Sequence, residues 1–132
     1  MVVQEHQIIY RTIIKVGMAT IKTDQVMSMV DSIFENIGYR RWVEGIECLQ
    51  NEQIYFEICN IVFHSHSIEL IKINESKGSS GEKLQALIEL VSKVINMDLS
   101  HISGKLIVQG NMQHLKNLLQ LFEYLSQIMV KS

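Results

Sequence analysis

The chain has 132 residues, the length of one domain, and it can bury a core without disulfides or a structural metal. Its net charge of -2 and its charged fraction of 20% exclude a strongly basic nucleic-acid binder and a polyacidic tail, so any basic surface has to be local. The apolar fraction of 47% contains no run approaching the ~20 residues of a membrane span, and the N-terminus lacks the basic and apolar blocks of a signal peptide.

The first segment, Val2 to Thr20, carries Ile9, Ile13 and Val16 on one helical face with Tyr10 and Ile14 beside them, and Gly17 weakens its end. This spacing predicts an amphipathic helix over residues 1–22, set apart from a domain over residues 23–132. Thr23 and Asp24 offer helix-start chemistry before Val26, Val30, Ile33, Phe34 and Ile37, and Gly38 can stop that helix in a left-handed cap. Tyr39 to Gln50 reads as a connection with Trp42 as its apolar anchor. Asn51 can cap a helix through Ile54, Ile58, Ile61 and Val62. The run Ile54 to Ile73 is rich in Ile, Val, Tyr and Phe, so strand competes with helix there, above all over Ser67 to Ile73.

Asn74 to Gly81 has the composition of a surface loop, and neither side of it holds a complete core of its own. Ser79 and Glu82 have the spacing of a capping box, ahead of the face Leu84, Leu87, Ile88, Val91, Val94 and Ile95. A turn-like segment spans Leu99 to Gly110. Asn111 then caps a last helix with the face Leu115, Leu118, Leu119, Phe122, Leu125 and Met129. Five helices and one ambiguous segment make an all-α fold.

Little in this pattern carries catalytic chemistry. His64 and His66 have no further ligands near them in sequence, so no metal is expected. His101 and Ser103 lack the third group and the strained turn of an activated nucleophile, and either Ser100 or Ser103 suits a helix cap instead. Lys77 to Gly81 lacks phosphate-loop spacing. No cofactor and no enzymatic activity are expected. Cys48 and Cys59 have no metal or redox spacing and read as reduced, buried thiols of a cytoplasmic protein, with a disulfide as the alternative. The seven methionines, Met27 and Met29 among them, suit core filling or an adaptable surface.

The charges are segregated along the chain. Arg11, Lys15 and Lys22 stand against the single acid Glu5, Arg40 and Arg41 adjoin Trp42, and most acids fall between Asp24 and Asp98. A basic surface built from Arg11, Lys15, Lys22, Arg40 and Arg41 would suit an acidic protein partner. An ordinary solvated surface is the alternative.

The stretch Leu99-Ser100-His101-Ile102-Ser103-Gly104-Lys105-Leu106-Ile107-Val108-Gln109-Gly110-Asn111 resembles the L-S-H-I-[ST]-G-x-x-I-V-x-G-[DN] element of one family. This is the calponin-homology-like head of the ninety-five-kilodalton centrosomal protein family. Leu115 to Leu125 is similar to that family's I-K-N-L-L-E-I-F-x-x-L helix. The likeness is close over about thirty residues and extends upstream only in the order and length of helices. The resemblance implies a calponin-homology-like helical domain with an extra N-terminal helix. It also implies a protein-interaction module of a centrosome, centriole or basal-body component in the cytoplasm. Domains of this class head coiled-coil proteins; several engage tubulin and others bind only partner proteins. No catalytic or tubulin-binding residue follows from the motif. A homodimer through Val2 to Thr20 is the competing mode of action, and neither nucleic acid nor membrane is expected as a partner.

Overall fold

A computed structural model describes residues 18–130, with side chains described from residue 23 to residue 129, and all its regular elements are helical. Of the amphipathic segment expected over residues 1–22, residues 1–17 lie outside the described residues. Helix α1, Met18–Ile37, runs through Thr23 and Asp24, so these residues are interior to a helix and do not start one. Residues 18–22 therefore continue α1. A 3₁₀ turn over Ile46–Gln50 leads into α2, Glu52–Val62, and a second over His64–His66 leads into α3, Ser67–Asn74. Then follow α4, Ser80–Ile95, the short α5, Gly104–Val108, and α6, Met112–Val130.

Local chemistry accounts for most of these boundaries. Asn51 accepts from the Gln53 N–H to start α2, and Ser103 accepts from the Leu106 N–H to start α5. Asn111 accepts from the N–H groups of Gln113 and His114 to start α6. Ser79 and Glu82 form the expected reciprocal box at the head of α4. Three helices end in one motif, a left-handed residue with paired backbone bonds back into the last turn. At α1 the left-handed residue is Gly38 (φ +67°), with Gly38 N–H to Glu35 O at 3.2 Å and Tyr39 N–H to Phe34 O at 3.1 Å. Asn96 does the same for α4, and Gly110 for α5.

Ser67 to Ile73, where strand competed with helix, is the helix α3. Leu70 is buried and Ile73 packs against the core, while Ile68 and Ile71 face solvent.

The core is one cluster, drawn from both sides of the loop between α3 and α4. Helix α2 is central, packing against α1, α3, α4 and α6, while α1 and α6 share the most extensive helix contact. Ile54, Tyr55, Phe56, Ile58, Cys59 and Val62 of α2 are all buried. The Tyr55 ring lies 6.2 Å from that of Phe122, and its hydroxyl donates to the Leu49 carbonyl. Burial pushes both the Tyr55 phenol and the Cys59 thiol far above their ordinary ranges, so each stays neutral. Cys48 is half-buried, and both cysteines are free thiols. Met27 and Met29 pack against the core from α1 as gap-fillers.

On α6, Leu115, Leu118, Leu119, Phe122 and Leu125 are buried as the spacing predicts, worth about 1.5–3 kcal/mol each. Met129 departs from that pattern and is exposed, because the core ends one turn earlier. The one buried polar side chain among the described residues is Ser126. It accepts from Asn36 Nδ2 at 3.0 Å and donates to the Glu123 carbonyl, tying α1 to α6.

Candidate protein-interaction surface

The chain leaves α1 through the left-handed Gly38 and runs without regular structure from Tyr39 to Glu44. Tyr39 folds back so that its ring lies 5.9 Å from that of Phe34, the apolar contact that commonly accompanies this type of helix ending. Its hydroxyl donates to Glu57 Oε1 at 3.1 Å. Arg41 Nε donates to both oxygens of the same carboxylate, at 3.1 and 3.2 Å, and Arg41 Nη1 donates to the Trp42 carbonyl. Glu57, on the outer face of α2, thus holds two side chains of the loop at once. The hydrogen bond to Glu57, and then the charge of that carboxylate, raise the Tyr39 phenol above its ordinary value.

An exposed ion pair of this kind adds little to stability, on the order of 1 kcal/mol or less. Its effect is on shape: it fixes a loop whose next residue, Trp42, is 80% exposed. The sequence reading made Trp42 the anchor of this connection, and the structure assigns that role to Val43 and Leu49, both buried in the core. Val43 is buried while its neighbour Trp42 faces solvent.

Of the residues expected to form a basic surface, Arg40 and Arg41 sit together on this loop and are exposed. They line an open depression shared with Phe34, Tyr39, Trp42 and the α1 acids Asp31 and Glu35. The surface is therefore of mixed charge, with Arg41 already partnered by Glu57. Arg11 and Lys15 lie outside the described residues, as does the side chain of Lys22. Sequence reasoning missed Glu57, which is separated from Arg41 by sixteen positions. Its only signal was a carboxylate on the polar face of α2.

Other polar positions have structural uses. Ser103 is a helix cap, and its N–H donates to His114 Nδ1 at 2.9 Å. His66 Nδ1 lies 3.2 Å from Glu69. Among the described residues no group of His, Cys, Asp or Glu is placed to hold a metal ion, and no helix is long and apolar enough to cross a membrane.

Residues 68–125 match the family described as Domain of unknown function (DUF5745). The match runs from the second residue of α3 into the last third of α6 and leaves the Tyr39–Trp42 loop outside it. No curated protein and no solved structure matches the chain.

Proposed function

We propose that this chain is a calponin-homology-like, non-enzymatic protein-interaction domain of a centrosome, centriole or basal-body protein. It acts in the cytoplasm at the cytoskeleton, using the Tyr39–Trp42 loop as its contact. Support for the setting comes from the residue pattern of Leu99 to Leu125. The observation that carries the interaction reading is Trp42, exposed beside Arg40 on a loop braced by Glu57. Tryptophan, tyrosine and arginine are the residues most often responsible for affinity at protein interfaces, and a braced loop loses less entropy on binding.

The partner this surface suits is an acidic protein segment, such as a tubulin tail. Arg40 supplies the charge and Trp42 the apolar contact. Co-sedimentation with microtubules should weaken as salt rises, because opposite charges at a rim are screened. Arg40→Glu with Arg41→Glu, and separately Trp42→Ala, should each lower binding at least about tenfold, a loss of about 1.4 kcal/mol. Unchanged binding in both variants removes this surface. A head that binds another protein without touching tubulin is the second reading. Binding of the isolated chain to a centriolar protein but not to microtubules would select it.

A further inference from the structure

The depression beside the Tyr39–Trp42 loop holds charges that the loop's own bonds do not match. Asp31 and Glu35 of α1 line it together with Phe34, Tyr39, Arg40 and Trp42, and both acids are exposed. They stand four positions apart, so they share one face of the helix, where like charges repel. Helix α1 supplies no relief, because from Thr23 to Ile37 it holds no lysine or arginine. Arg41, which also lines the depression, is committed to Glu57 of α2 and to the Trp42 carbonyl. Arg40, Asp31 and Glu35 form no ion pair with any described residue.

Among the described residues this surface therefore presents two unmatched carboxylates and one unmatched guanidinium. A segment acidic throughout would gain one attraction there and meet two repulsions. A neutral segment would cover all three charges and match none, which costs their hydration. Water solvates the charges but gains nothing from the ring of Trp42, which is 80% exposed.

Resting on the loop reading above, we propose that the partner's contact segment is of mixed charge. One of its carboxylates pairs with Arg40, and a lysine or arginine close to it in sequence enters the depression against Asp31 and Glu35. That cation meets both carboxylates beside the aromatic side chains of the loop, and a cation over a tryptophan or tyrosine face gains a further attraction. The matched charges act on partner choice more than on raw affinity. The acidic segment that suits Arg40 is thus one interrupted by a basic residue.

A series of labelled synthetic peptides tests this with the full chain, read by fluorescence anisotropy. The first is a run of glutamates around one tyrosine, and in the others a single glutamate is replaced by lysine at each interior position in turn. At low salt the best lysine peptide should bind about threefold to tenfold more tightly than the first, the size expected of one or two exposed charge pairs. The preference should shrink as salt rises. Asp31→Asn with Glu35→Gln should abolish it with an unchanged helical circular-dichroism spectrum, since both positions are exposed. Trp42→Ala and Arg40→Ala should each weaken every peptide. Equal binding of all peptides, still weakened by Trp42→Ala, overturns the mixed-charge inference and leaves the loop reading standing. A lysine preference that survives Asp31→Asn/Glu35→Gln overturns it too. Binding that neither Trp42→Ala nor Arg40→Ala alters removes the loop reading and this inference with it, as does a series in which no peptide binds.

Discussion

Gly104, the first residue of α5, lies directly against Gln85 of α4, and its N–H donates to Gln85 Oε1 at 2.8 Å. A Cβ on Gly104 would fall 2.5 Å from the Gln85 backbone nitrogen and 2.8 Å from the Leu84 carbonyl carbon. Those atoms belong to a helix backbone and cannot move aside as a flexible side chain can. Gly104 thus permits a close approach between two helices, with Gly81 facing Lys105 at the same contact.

Gly104→Ala should therefore destabilise the domain by about 1–3 kcal/mol, the usual cost of overpacking. Urea unfolding would measure it. A loss below that range would mean that α5 can shift away from α4 freely.

Capping at α4 makes a prediction with a pH signature. Ser79→Ala should cost about 1 kcal/mol. The bonds from Ser79, backbone first and hydroxyl second, hold the Glu82 carboxyl below its ordinary 4.5. A depressed carboxyl contributes stability that is present above pH 4.5 and is lost as pH falls through its folded value. Glu82→Gln keeps an acceptor without the titration, so the stability gap between it and the unmodified chain should depend on pH only on that acid limb. Equilibrium unfolding at stepped pH would show the difference.

Trp42 and Leu49 form a contrasting pair in one connection. Leu49 is fully buried, so Leu49→Ala should cost about 2–5 kcal/mol. Trp42→Ala should change stability by less than about 0.5 kcal/mol, as expected of a surface position. Thermal unfolding of both variants gives the comparison, and a large loss at Trp42 would contradict its exposure.

The Asn36–Ser126 bond joins α1 to α6 across the most extensive helix contact among the described residues. A double-mutant cycle with Asn36→Ala and Ser126→Ala should return a coupling of about 0.5–1.5 kcal/mol. A coupling near zero would mean that solvent replaces the bond at no cost.

Helix positions, caps and buried faces were legible in the chain because they depend on neighbours three or four residues apart. Asn51, Ser79, Ser103 and Asn111 cap helices, and Gly38 ends one, where the residue types and spacings require it. The same local rules failed where two states share a propensity. The run before Asn74 is a helix that buries Leu70, with Ile68 and Ile71 left in solvent.

The interaction surfaces are a different case. The sequence marked Arg40, Arg41 and Trp42 as notable but turned Trp42 inward, and it had no means of linking Arg41 and Tyr39 to Glu57. By itself the sequence determined the helices, their caps and most of the buried face of each. Which exposed groups share a surface was decided only by tertiary structure, because that depends on packing between segments far apart in the chain.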